Sequence, residues 1–163
     1  MLEAFGKWLE TTQISWAMTH YAWIWPACET LHFIGLAMLI GTVWIVDLRM
    51  LGVAKGLPMA PMHVLVRCGV AGFIINVVTG FLFFAGTPNQ YIGNIGFTLK
   101  MVFIALAGIN VLIFYLWIYR RIESLEPGED APLSAKIVAA ASLFLWLGVM
   151  SFGRLLPYFG NAF

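Results

Sequence analysis

Glu29, His32, Lys100 and Arg154 are the side chains of this sequence best suited to chemistry, because each is ionisable and each interrupts a long apolar run. A charged group at the centre of a bilayer costs about 2.5–3.5 kcal/mol, so such residues mark function by default. Glu29 and His32 are three apart and share a helical face, as do Met150 and Arg154, four apart. Lys100 falls on one side of its segment with Ala107 and Asn110. Counting turns inward from the segment ends places Glu29, His32, Lys100 and Arg154 in one layer. One acid against two cations leaves that layer unbalanced, and an anionic ligand would complete it. Haem offers two propionates for Lys100 and Arg154, with His32 as an axial ligand one turn deeper. Glu29 is then the candidate for proton movement. A second axial ligand could be His20 or Met150. The alternatives are an ion-pair knot of Glu29 with Lys100 or Arg154, or a different ligand.

These residues need helices to hold them. Of 163 residues 61% are apolar and 10% charged, with a net charge of +1, against about 45–50% and 25% in soluble domains. That excludes a water-soluble globule, a disordered chain and a nucleic-acid binder with a basic face. Four continuous apolar runs, 26–46, 62–85, 97–119 and 134–156, are long enough to cross a bilayer core, which takes roughly 20 helical residues. They lack the alternation of barrel strands. The fold expected is all-α, a single integral membrane four-helix bundle. Pro26 suits a first helical turn, Pro58 and Pro61 break the chain after the first span, Thr87-Pro88-Asn89 closes the second, and Ser134 is the expected N-cap of the fourth. Residues 1–25 read as an N-terminal interfacial amphipathic helix, with Leu2, Phe5, Trp8 and Leu9 on one face, followed by an aromatic segment, Trp16 to Trp25. The acidic residues within them argue against a cleavable signal.

Arg49, Lys55, Arg67, Arg120, Arg121 and Lys136 flank two loops, against Lys7, Lys100 and Arg154 toward the other side. Those counts place the two loops in the cytoplasm and both termini outside a bacterial inner membrane. Asp47 is expected to pair with Arg67. Gly69, Gly72, Asn76, Thr79 and Gly80 form a stripe that suits span two to a central place in the bundle, and Asn76 and Asn110 suit interhelical hydrogen bonds. Cys28 and Cys68 lie toward opposite ends and are not expected to be bonded. His63 lies at the end opposite His32 and could not share a haem with it.

The run Leu31-His32-Phe33-Ile34-Gly35-Leu36, then Gly41 and Asp47-Leu48-Arg49-Met50-Leu51-Gly52, resembles a group of small bacterial four-helix membrane proteins. So do Thr79-Gly80, Tyr91, Asn94, Phe97, Lys100 and Asn110. The nearest resemblance is to a family carrying a domain of unknown function that covers nearly the whole chain. More remotely, the chain is similar to HemJ-type protoporphyrinogen oxidases and CopD-type copper-resistance proteins. The HemJ-type resemblance implies haem b binding, with His32 and Lys100 in the important first-helix and third-helix roles. The chain departs from that pattern just after Arg49, where it has Met50-Leu51-Gly52. Three functions are therefore in play. One is a membrane redox protein with one haem b, acting on a quinone, a porphyrinogen or an external partner. Another is a CopD-like copper protein using soft donors such as Met18, His20, His32, Met101 and Met150. The last is an accessory or assembly subunit without cofactor. A lone, coloured homo-oligomer would fit the first and argue against the last.

Overall fold

A backbone in lipid must satisfy its own hydrogen bonds, so each apolar run closes into a helix. In the computed structural model, which describes residues 2–159 but not the His63 side chain, four long helices follow two short ones. These are α1 (Leu2–Glu10), α2 (Gln13–His20), α3 (Ile24–Leu51), α4 (Met62–Gly86), α5 (Pro88–Tyr91), α6 (Ile95–Ile113), α7 (Tyr119–Ile122) and α8 (Leu133–Leu155). A π turn, Phe114–Ile118, joins α6 to α7 without a break, and a 3₁₀ turn, Leu156–Tyr158, follows α8. All four long helices are long and apolar enough to cross a membrane. Their outer faces carry exposed Val70, Ile74, Val77, Leu112, Leu116 and Phe144. A continuous belt of this kind needs lipid rather than water.

The helix ends follow local chemistry. α3 runs past residue 46 because nothing breaks it before Gly52, whose φ of 87° caps it in the left-handed region. Asn94 caps α6 by accepting from the Gly96 and Phe97 amides, and its own amide donates to the Leu156 carbonyl at 3.1 Å, tying the start of α6 to the end of α8. Ser134 is not a cap: α8 begins at Leu133 after Pro132, without a side-chain cap bond. At the N-terminus, Gly6 and Leu9 face the protein, Gly6 against Ile92 and Pro88, while Leu2, Phe5 and Trp8 are exposed. Leu9 thus parts from the apolar face expected of it, because the α5 surface takes it.

The long helices pack in the spatial order α4, α3, α8, α6. α4 is therefore at an edge, not at the centre. The reason lies in its small residues, which face one neighbour only. A Cβ on Gly72 would lie 2.5 Å from the Gly35 carbonyl, and one on Gly69 would lie 3.2 Å from Thr42. The stripe welds α4 to α3 and leaves α3 in the middle. α4 and α6 meet at the end near the termini, where Phe84 stacks on Phe97 at 5.8 Å; elsewhere they barely touch.

Two apolar cores fill the bundle. Leu39, Ile40, Ala107, Trp146 and Val149 form one. Met50, Met59, Met62, Ile118, Ile122 and three alanines of the α8 side form the other, at the end bearing the two loops. Arg49 lies beside the second core with 0% exposure. Its guanidinium donates to the carbonyls of Leu57 (2.6 Å), Glu129 (3.1 Å) and Glu126 (3.0 Å), so one buried cation holds both loops. Lys55 and Lys136 clamp Asp130 at 3.1 and 2.7 Å alongside.

The expected Asp47–Arg67 pair does not form. Asp47 turns inward and is 3% exposed, whereas Arg67 is exposed on α4. The Ser142 hydroxyl of α8 is the group that faces the Asp47 carboxylate. Asn110 does bond across helices, to the Val138 carbonyl at 3.2 Å. Asn76 instead donates to Gly72 of its own helix, because Gly35 presses too closely for an outside partner. Cys28 and Cys68 are both free.

Candidate functional site

His32 is set eight residues into α3 and Thr79 seven residues before the end of antiparallel α4, so the two meet at equal depth. Their side chains lie 2.7 Å apart, Nδ1 to Oγ1. Thr79 has a single hydroxyl proton, and it donates to the Ile75 carbonyl at 2.7 Å. The hydrogen between Thr79 and His32 must then come from the ring. That bond assigns the ring proton to Nδ1 and leaves Nε2 as the unprotonated nitrogen. The ring is held on its other sides by Phe83, edge-on at 5.7 Å, and by Gly80. Sequence reading placed Thr79 in a small-residue stripe and missed this role. Its polarity and its depth were the available signals.

Lys100, near the start of α6, reaches to α8, where its Nζ lies beside Gly153, 3.5 Å from where a Cβ there would be. A side chain at 153 would occupy the space that Lys100 uses. Lys100 is half-buried. Among the described residues it has no ion pair and no hydrogen bond. His32 thus packs on α4, while Lys100 packs on α8.

The other expected members are placed differently. Arg154 follows Gly153 directly but is exposed, and it has no ion pair with another described residue. Glu29 is exposed and accepts from Trp25 Nε1 at 3.2 Å. It pairs with neither Lys100 nor Arg154, so no ion-pair knot closes the layer. Glu29 also lies near Tyr91, whose phenol is pushed up to about 12, first by burial and then by that neighbouring carboxylate. His20 is exposed and stacked on Trp16 at 4.4 Å, away from the His32 contacts. Met150 packs on the core around Leu39 and Trp146.

The soft donors of the copper reading are dispersed. Met18 is buried against Gly86, Met101 is 48% exposed and Met150 belongs to the core. Among the described residues no three His, Cys, Asp or Glu converge as a metal site. What the geometry offers is one imidazole bonded through Nδ1 to Thr79, and on α6 one half-buried cation with no ion pair among the described residues.

No curated protein and no solved structure matches the chain. A family of unknown function, DUF6644, matches residues 5–159, nearly the whole length, and the chain belongs to that family.

Proposed function

We propose that this protein binds one haem b between the terminal halves of α3, α4, α6 and α8 and serves redox chemistry in the bacterial inner membrane. The single observation that carries the reading is the Thr79 bond that bares His32 Nε2. A neutral imidazole presenting an unprotonated nitrogen, oriented by a hydrogen bond on the other, is the form in which histidine ligates iron. A bound haem supplies a one-electron iron couple. The chain's own residues bind and orient it: His32 takes the iron, and Lys100, lacking any acidic partner, takes a propionate. On this proposal the exposed Arg154 would turn inward to meet the second. Glu29, exposed near the start of α3 and bonded to Trp25, is the group assigned to proton movement. On this reading the loops held by Arg49 face the cytoplasm and the haem lies toward the outer leaflet.

The test is an absorption spectrum of the full-length protein purified from haem-replete cells, oxidised and then reduced. A Soret band that His32→Ala abolishes is expected. Colourless wild-type protein overturns the proposal, and so does a Soret band that survives His32→Ala.

A further inference from the structure

Between the two apolar cores lies one polar layer, and it is independent of the haem reading. On α3, Asp47 stands between Ile40 of the first core and Met50 of the second. On the third span, Asn110 stands between Ala107 and Ile118, and on α8 Ser142 stands between Trp146 and Ala139. The three residues meet at one level. The Ser142 hydroxyl faces the Asp47 carboxyl, and Asn110 donates to the Val138 carbonyl one turn before Ser142.

Asp47 is 3% exposed, whereas the other seven acids of the chain are exposed. An ionised carboxylate at such a place needs a cation or several donors, because burial removes the water that would hold its charge. Neither is at hand among the described residues. On its own helix, Arg49 is two residues on, off the Asp47 face, and gives its guanidinium to three loop carbonyls. On α4, Arg67 and Cys68 are exposed. On the π turn, Tyr115 is an uncharged phenol, and on α6 the Asn110 amide is directed at Val138. On α8, Ser142 offers one hydroxyl, and Lys136 is taken up by Asp130. Two buried indoles complete the surroundings, Trp44 three residues before Asp47 and Trp146 four residues after Ser142. Neither donates to Asp47: both Nε1 atoms, like Asp47 Oδ2, have no partner among the described residues. A charged carboxylate would draw such donors onto itself, and a neutral acid bonded once to Ser142 would not.

We propose that Asp47 is a proton-binding site within the membrane, the neutral carboxylic acid at neutral pH, with its O–H donating to Ser142 Oγ. The core around Met50 and Ala139 seals it toward the loops, and the core around Ile40 and Trp146 seals it toward the other end. Acids held inside a bundle are the groups from which proton relays are built, so this layer is where a proton enters or leaves the interior.

The experiment uses the full-length protein in lipid bilayers, labelled with carbon-13 at the aspartate side-chain carboxyl. The chain has two aspartates, Asp47 and Asp130, and hence two such signals. Solid-state NMR separates a neutral acid from a carboxylate by the position of its signal. At neutral pH one signal should be a neutral acid, lost in Asp47→Asn, and the other a carboxylate, lost in Asp130→Asn. Asp130 is on an exposed loop, so its variant makes the assignment even where Asp47→Asn does not fold. Spectra are taken in sodium chloride and in choline chloride, and the neutral-acid signal is expected in both. A carboxylate signal from Asp47 in choline chloride overturns the proposal. A carboxylate signal in sodium chloride alone also overturns it, and makes a metal cation the occupant of the layer.

Discussion

Thr79→Val isolates the bond on which the candidate site depends. Valine keeps the β-branched shape and removes the oxygen that receives His32 Nδ1–H at 2.7 Å, together with that hydroxyl's local bond to the Ile75 carbonyl. A hydrogen bond between neutral groups contributes about 0.5–1.5 kcal/mol net, so its loss should shift the ratio of the two His32 tautomers roughly two- to tenfold. The direct assay is nitrogen NMR of histidine-labelled protein above the pH at which the rings titrate. The chain has three histidines, and His32→Gln assigns the signal. Wild-type His32 should show a protonated Nδ1 and a bare Nε2. Thr79→Val should move the proton toward Nε2, the form that neutral imidazole favours in water, and Thr79→Ser should restore it. Haem affinity should fall with it by about 10–100-fold, the range seen when the partner of a metal-bound histidine is lost. A wild-type ring protonated on Nε2, or a tautomer that ignores the Val substitution, would refute the reasoning.

Other consequences can be checked on the same purified protein. Arg49→Leu removes three charge-assisted bonds to both loops, and thermal unfolding should show a loss of at least about 2 kcal/mol, with the 123–132 loop newly open to protease. Arg49→Lys should recover only part, since an ammonium cannot fork to three carbonyls. Asp130 is held below the usual carboxylate range, chiefly by its hydrogen bonds from Lys136 and Lys55. A depressed folded-state value gives stability that is present at neutral pH and lost as pH falls through that value. Asp130→Asn should therefore melt lower than wild type at pH 7, and the difference should vanish on acidification. Gly72→Ala puts a Cβ 2.5 Å from the Gly35 carbonyl and should cost about 1–3 kcal/mol, whereas Gly41→Ala, with nothing within 4 Å, should be neutral or slightly stabilising. Equal effects at the two glycines would contradict the close packing of α3 on α4.

Membership of DUF6644 fixes the lineage and leaves the cofactor chemistry to experiment; no comparison links the chain to HemJ-type or CopD-type proteins.

Hydropathy is a sum over neighbours in the chain, and in lipid that sum alone forces a helix. The four spans were therefore legible from residue types, with ends displaced by a few residues where a run continued to the next breaker, as α3 does to Gly52. Depth along a helix was legible too, because rise per residue is fixed, and His32 of α3 meets Thr79 of antiparallel α4 at the level that counting gives. Which helices are neighbours was not. That choice turned on how closely two backbones approach, at Gly35 and Gly72, and it put α3 rather than α4 in the centre. From it follow the Thr79 partner of His32, the outward turn of Arg67 and the inward turn of Asp47. Arg49 shows the limit most clearly. Its spacing reads as a loop-flanking surface cation, yet its acceptors at Glu126 and Glu129 lie 77 and 80 residues away, and only the folded chain brings those carbonyls to it.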